Sequence, residues 1–446
     1  MTLIKKTIRA LVIWLLTIEA RLVLRRYQSR LVGVTGNIGK TSVKDAIYAV
    51  LARALPAGRP GLRVRRSAKS FNSEIGVPLS ILNQPNAWGR PLDWLRNLMA
   101  GLALVIFSHD YPDWLVLEIG ADRPGDIKKF VRWLKFDLVV LTSLPDLPVH
   151  IEFFSSVEAM VEEKLTLLEA VKPGGAVVIN GDNERLTAIK KKWSEKFNER
   201  SIRLLTYGFG PDNDLCVHHE HIYYDDDKPT GLTFKVDHVG RTVPFRLPGL
   251  VGRHQLYAPA AALLVGAILN FNLIEMAEAL VAYQTPPGRL RLLPGIKETL
   301  VLDDSYNASP AAVTEALATL KILTAKGKKI AVLGDMMELG EKTIAAHRQV
   351  GIEAAAAADL IITVGIRAKF TAVAAAEKGF KPENMRHFDE AREAGKALQS
   401  LLLPGDVVLV KGSQAMRLER TVEEIMAHPE DKEKLLARQE PEWLNK

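Results

Sequence analysis

The sequence predicts an α/β protein made of two successive domains, each organised around a mainly parallel sheet. Three observations lead to that expectation. Short β-branched runs at 31–35, 114–119, 138–142 and 176–180, and again at 299–302, 329–333, 360–364 and 407–410, alternate with helical stretches. Buried parallel strands with helices on both faces read this way. A rigid hinge, Gln284-Thr-Pro-Pro-Gly288, separates the two sets. Just before it, 201–247 loses the rhythm and reads as polar hairpin segments at 218–224, 231–238 and 242–247, an antiparallel appendage.

Taken in order, residues 1–30 form an apolar and basic helix, 31–284 a central domain and 285–446 a C-terminal domain. In the first segment the apolar stretch 10–18 falls short of the ~20 residues that cross a bilayer. Its charged start resembles a signal peptide, yet no small-residue cleavage site follows. Two readings stand: a helix packed on the body, or an interfacial anchor with Lys5, Lys6, Arg9, Arg21, Arg25 and Arg26 toward lipid phosphates. The spread of those charges around the helix favours the first. Helices are expected at 157–171 and, alanine-rich, at about 255–270; the charged stretch 429–446 reads as a surface helix or a frayed tail.

Composition narrows the class. With 446 residues, 48% hydrophobic and 25% charged, the chain has the makeup of a soluble globular protein, and disorder or a fibrous architecture is a poor description. The formal charge of +7 suits acidic small molecules, an anionic membrane surface or nucleic acid. No basic run is interleaved with aromatics, so nucleic acid is not an expected partner. Cys216 is the only cysteine, which excludes an internal disulfide and points to a reducing, cytoplasmic setting.

The chemistry begins at 31–41, a strand, a glycine turn and a helix start. Such a loop aims backbone N–H groups and a helix N-terminus at phosphate. Gly36, Asn37, Gly39, Lys40, Thr41 and Ser42 are the nucleotide-binding candidates, with Lys40 reaching the β/γ-phosphates and Thr41 the Mg²⁺. The strict pattern wants glycine at Val34; here the glycines are Gly33, Gly36 and Gly39. Glu118 ends a strand where ligands of open α/β sheets sit, and offers a hard oxygen for Mg²⁺. Lys164 falls within the apolar stripe Val157, Met160, Val161, Leu168 and Val171, away from Glu158, Glu162 and Glu169. A lysine there is either snorkelling or functional. In the second domain Arg289 is placed to neutralise a transferring phosphoryl group and Asp304 to accept a ribose hydroxyl. Asn307, the Asp335–Gly340 segment with His347, and Lys411 with Ser413 lie at other strand ends. Together these polar ends predict a cleft between domains. His218, His219 and His221 beside 225–227 read as a solvated cluster rather than a metal site.

These segments, in this order, resemble the Mur ligases. The likeness rests on Gly33-Val-Thr-Gly-Asn-Ile-Gly-Lys-Thr41, Asn72-Ser-Glu-Ile-Gly-Val-Pro78, Glu118-Ile-Gly-Ala-Asp-Arg-Pro-Gly125, His150-Ile-Glu-Phe-Phe-Ser-Ser156 with Lys164, and Asn180-Gly-Asp182. Pro287-Gly-Arg289, Asp303-Asp-Ser-Tyr-Asn-Ala-Ser-Pro310, Gly334-Asp-Met-Met-Glu-Leu-Gly340 and Val410-Lys-Gly-Ser413 extend it toward the branch that adds D-alanyl-D-alanine. The fold class is then a central P-loop parallel-sheet ATPase domain plus a C-terminal Rossmann-like α/β domain. The resemblance implies an ATP-dependent, ADP-forming amide ligase: ATP phosphorylates a peptide carboxylate and an amine attacks the acyl phosphate. It implies two Mg²⁺ sites, one with Thr41 and Glu118, the other with His150 and a carbamylated Lys164. Lys40, Lys164, His150 and Arg289 become the catalytic set. Asn72, Ser73, Lys411 and Ser413 become substrate contacts. The implied partners are D-Ala-D-Ala and a muramoyl peptide, nucleotide-sugar or lipid-linked, handled by a cytoplasmic monomer; peripheral membrane contact through 3–27 is the second, less favoured of the two readings of the first helix.

Departures from the family pattern bear on the acceptor and the base. Only 32 residues precede Gly33, where family members carry a uridine-nucleotide-binding domain. Gln255 and Ala258 replace two asparagines, the second of which usually meets adenine, and Ser70 and Ser73 flank Asn72 in place of asparagines.

Overall fold

The computed structural model describes residues 3–53, 62–68, 70–107 and 109–444, with backbone alone at 3–6, 191 and 444. The side chains of Lys5 and Lys6 therefore lie outside the described residues.

The first set of strands runs β1 (Arg30–Thr35), β2 (Val64–Arg66), β3 (Trp114–Glu118), β4 (Phe136–Leu141), β5 (Val171–Asn180), β6 (Arg203–Gly208), β7 (Leu215–Asp225), β8 (Lys228–His238) and β9 (Arg241–Pro248). Among the described residues they form one nine-stranded sheet, ordered β2-β3-β1-β4-β5-β6-β7-β8-β9. It is parallel as far as β7 and antiparallel from β7 through β9. The second set is β10 (Arg291–Pro294), β11 (Leu300–Asp304), β12 (Lys329–Gly334), β13 (Leu360–Val364), β14 (Met385–Phe388) and β15 (Val407–Lys411). Their order is β10-β11-β15-β12-β13-β14, all parallel except β10.

The α/β class and the sheet-forming runs are as expected, and four details differ. The helix expected over 157–171 stops at Leu165; a 3-10 turn, Thr166–Ala170, and then β5 take over. Pro173, Gly174 and Gly175 follow at once, so a helix could not have continued, and Leu168 and Val171 belong to the turn and the strand. β6 lies inside the region expected to be antiparallel, yet pairs parallel to β5. The alanine-rich helix is Tyr257–Ile268, entered by a 3-10 turn at Arg253–Leu256. The C-terminal stretch is neither free nor frayed at Arg438, which is 6% exposed and donates to the Ser305 and Tyr306 carbonyls and to Glu419.

Each face of the large sheet has its own core. One packs the Lys40–Arg53 and Tyr257–Ile268 helices through Val43, Ile47, Val50, Leu263 and Leu264. The other packs Leu16, Ala20 and Val23 of the Leu3–Tyr27 helix with Leu79, Leu82 and Phe130. That first helix thus sits on the body, alongside the Gly76–Leu82 and Pro91–Ile106 helices.

Between the first and fourth helices Glu19 turns inward against Gly101, where an added Cβ would lie 2.1 Å from its Oε2. That oxygen is buried without a hydrogen-bond partner, and burial pushes the carboxyl up from 4.5 to about 7. The folded chain then binds more protons here than the unfolded chain between these values, so stability falls as pH rises through that window. Glu19→Gln is expected to raise the unfolding midpoint above pH 7 and change it little below about pH 4.5. A pH-independent effect in urea titrations would contradict this placement.

Candidate functional site

The carboxyl ends of β1, β3 and β4 meet at one edge of the large sheet, because β1 pairs with β3 on one side and β4 on the other. In an open parallel sheet this is the crevice where ligands bind. β1 delivers the glycine turn, whose Gly36 (φ +139) and Gly39 (φ +85) adopt backbone conformations closed to most side chains. Lys40 opens the following helix. Its ammonium folds back on the loop, donating to the Gly36 and Asn37 carbonyls at 2.9 and 3.3 Å. Burial lowers its pKa, Arg289 adds to that, and the Glu118 carboxylate opposes it. Thr41 Oγ1 lies 3.3 Å from Ser70 Oγ. Asn37 is fixed through its N–H to the Ser143 carbonyl, and the Ser42 carbonyl accepts from Tyr283.

Glu118 ends β3 opposite Val34 of β1 and is 1% exposed. Asn72 Nδ2 donates to its Oε1 at 3.0 Å, while Oε2 accepts no hydrogen bond. Lys44 Nζ stands 3.9 Å from Oε2, 3.2 Å from Asp45 Oδ1, and donates to the Ser67 carbonyl. A buried carboxylate oxygen without a donor, next to a threonine hydroxyl and a phosphate-type loop, fits Mg²⁺, which takes a few protein oxygens and completes its shell with phosphates and water. Among the described residues no group of three or more His, Cys, Asp or Glu side chains is disposed to hold a metal.

Lys164 is 2% exposed, and no ion pair holds it among the described residues. Burial, reinforced by the nearby Lys40 charge, lowers its pKa to about 7. Much of it is therefore an uncharged, nucleophilic amine at neutral pH. His150 adopts a left-handed backbone (φ 69) and sets Nδ1 2.5 Å from Glu338 Oε2 and Nε2 3.6 Å from Asp122 Oδ1. Burial lowers the His150 pKa while Glu338 raises it. Glu338 follows β12, so this contact joins the two domains.

The second domain faces the loop through Arg289 and Tyr306. The Arg289 guanidinium stacks 4.2 Å over the Tyr306 ring, whose hydroxyl donates to Ser70 Oγ at 3.2 Å. Gln255, at a departure from the family pattern, accepts the Val251 and Gly252 N–H groups and donates to the Leu290 carbonyl, which clamps the hinge behind Arg289. A cleft of about 1110 Å³ opens between the domains, lined by Thr41, Ser70, Ser73, Trp88, Arg289 and Tyr306 among others.

Several expected residues are engaged elsewhere. Lys411, at 2% exposure, pairs with Asp304 Oδ2 at 2.6 Å and donates to the Asn307 carbonyl. Ser413 Oγ accepts the Met337 N–H, and Asn307 Oδ1 accepts the Ala308 N–H. None of these four lines the cleft; Lys411 and Ser413 brace the segment that follows Asp304 through the Asn307 and Ala308 carbonyls. Asn72 holds Glu118, whereas Ser73 does reach the cleft. His347 is buried and accepts the Met336 N–H. The His218 and His219 rings on β7 meet edge-to-face, with His218 3.0 Å from Asp237 of β8, several strands away from β1. Sequence reasoning missed Lys44, and it named Glu338 and Tyr306 only within strand-end segments, without the contacts they make. Lys44 carried a readable signal, a lysine among the buried Val43, Ile47 and Val50 of its helix.

Two family models match: the Mur ligase middle domain over residues 94–266 and the Mur ligase glutamate ligase domain over 288–414. The UDP-N-acetylmuramoyl-tripeptide–D-alanyl-D-alanine ligase of Bacillus subtilis is 28% identical, covering 92% of this chain and 79% of that protein. The ligase of the same name from Escherichia coli is 26% identical over 88% and 76%. Among solved structures, a MurF ligase from Thermotoga maritima in complex with ADP superimposes with a TM-score of 0.70 at 25% identity, covering 93% of this chain and 83% of that one.

Lys44→Met would leave the buried Glu118 without that cation and, among the described residues, the half-buried Asp45 with Arg66 alone. Unfolding in urea is expected to show a loss of about 3–5 kcal/mol; a loss under ~1 kcal/mol would remove Lys44 from this account.

Proposed function

The chain belongs to the Mur ligase family in both matched domains, and on that premise we propose that it joins D-alanyl-D-alanine to the carboxylate of a muramoyl tripeptide in peptidoglycan synthesis, consuming ATP. The observation that carries this reading is the grouping around Lys40 of the half-satisfied Glu118, the buried Lys164 and, from the other domain, Arg289, whose charges act on one another, beside a cleft lined by Thr41 and Arg289.

Lys40 and the loop N–H groups hold the triphosphate. Thr41 and Glu118 would hold one Mg²⁺, which would supply charge neutralisation. Attack of the acceptor carboxylate oxygen on the γ-phosphorus forms the acyl phosphate and releases ADP. The D-alanyl-D-alanine amine then attacks the acyl carbon, and phosphate leaves with the C–O bond electrons. Negative charge accumulates in both steps, so Lys40 and Arg289 act mainly by position and charge. The dry, crowded setting of Lys164 favours carbamylation: its neutral amine adds CO₂, loses a proton and becomes a carboxylate that would join His150 at a second Mg²⁺. Asp304 and Asn307 are the proposed ribose-side contacts, reached when the second domain closes. We assign the reaction to the cytoplasm, with the acceptor carried on a nucleotide sugar or a lipid.

Purified chain is to be given ATP, Mg²⁺, D-alanyl-D-alanine and UDP-linked tripeptide, or the lipid-linked equivalent, while phosphate release and product mass are followed. Amide product with equimolar phosphate is expected; ATP hydrolysis without amide on either acceptor would refute the ligase reading. Lys164→Ala is expected to abolish turnover, with partial return in short carboxylates. In ¹³CO₂-equilibrated protein a carbamate carbon resonance should appear and be missing in Lys164→Ala. Full activity of that variant, or no carbamate signal in the parent, would sink the carbamate.

A further inference from the structure

The first helix, Leu3–Tyr27, is packed along only one of its sides. On the other it exposes Ile8, Leu11, Trp14 and Leu22, at 57, 54, 59 and 40% exposure, with Leu15 and Ile18 half-buried between them. The spacing of 8, 11, 15, 18 and 22 is a single helical stripe. The neighbouring helix repeats it: Leu92, Leu95, Met99, Leu102 and Ile106 are 81, 58, 59, 42 and 56% exposed, followed by Phe107 at 62%. The two helices run alongside one another in the same direction, Glu19 against Gly101 and Arg26 donating to the Val105 and Ile106 carbonyls. Two unpartnered apolar stripes therefore sit together on one side of the central domain, the kind of contiguous exposed apolar surface that marks an interaction site.

Charge selects the occupant. The two helices carry seven basic residues against Glu19 and Asp93 alone. Arg21 and Arg26 lie on opposite flanks of the first stripe, Arg25 lies within its end, and Arg96 is exposed on the second helix. A second copy of the chain would bring the same cations against them. An anionic headgroup layer would neutralise them while the stripes enter the acyl boundary. No described helix is long and apolar enough to cross a membrane, so the surface would lie along the bilayer.

We propose that the paired Leu3–Tyr27 and Pro91–Ile106 helices dock onto an anionic phospholipid bilayer and hold the mouth of the inter-domain cleft beside it. Trp88 makes the connection: it lines the cleft, and its carbonyl accepts the indole N–H of Trp94 in the second helix. Resting on the ligase reading for what occupies the cleft, this placement favours an acceptor presented from the membrane on a lipid carrier.

The full chain is to be sedimented with vesicles of phosphatidylcholine alone or mixed with phosphatidylglycerol, at low and high salt. Salt-sensitive binding to the mixed vesicles is expected. Leu95→Ser/Leu102→Ser and, separately, Arg21→Gln/Arg25→Gln are each expected to weaken it by about tenfold or more, with ligation of a water-soluble acceptor unchanged. A parent chain that ligates but ignores phosphatidylglycerol vesicles, or variants that bind them as well as the parent, would overturn docking while the ligase reading stands. Vesicle binding with no ligation would reject the ligase reading and leave docking intact. A dimer in light scattering that the serine variants dissolve, with no vesicle binding, would give the surface to a second copy.

Discussion

The site depends on one arrangement of strands, β1 held in parallel register between β3 and β4. Val34 stands opposite Glu118, and Thr35 opposite Leu141. That pairing alone sends the glycine loop, the metal-binding carboxylate candidate and the segment leading to His150 out of the same edge. It also accounts for the unusual glycine. A Cβ at Gly33 would fall 2.8 Å from the Phe136 ring of β4, and one at Gly36 would fall 2.1 Å from Thr142 Oγ1. Close packing of β1 on β4 demands a glycine inside the strand, one position before the strict phosphate-loop pattern places it.

Around that edge the chain concentrates cations that burial would rather discharge. Burial lowers the pKa of both Lys40 and Lys164; the Lys40 charge adds to this at Lys164, and Arg289 of the second domain adds to it at Lys40. Such a site is electrostatically unsatisfied by its own protein groups, and phosphate supplies the missing charge. Lys164 gains most from its surroundings, because a lysine pushed to about 7 is available as an amine. The interdomain contacts, His150 with Glu338 and Tyr306 with Ser70, bring the halves of this charge field together, which links domain closure to chemistry.

Much of this was legible in the sequence because strand ends and glycine turns have local signatures. The alternation of β-branched runs with helices marked both parallel sheets, and polar strand ends in both domains pointed to a cleft between them, which Thr41 and Arg289 line. Lys164 stood out as a lysine on an apolar stripe. What escaped depended on tertiary contact. β2, β10 and β14 are three or four residues long, too short to show a period. The pairing of Lys411 with Asp304 joins residues far apart in the chain, so two residues expected to meet ligands separately form a buried pair. The anchoring of Arg438 under Ser305 and Tyr306 likewise has no local signal. Of the two apolar stripes only the first helix's apolar stretch was read from the sequence, and the fold sets the second beside it.

The central chemical claim is that an acceptor carboxylate oxygen attacks the γ-phosphate before the amide forms. Acceptor labelled with ¹⁸O in the reacting carboxylate tests it directly. Mass analysis of the inorganic phosphate is expected to find one labelled oxygen transferred for each amide made, the other label remaining in the amide. Unlabelled phosphate accompanying amide product would contradict the acyl-phosphate route, and with it the roles assigned here to Lys40, Arg289 and the loop between them and Glu118.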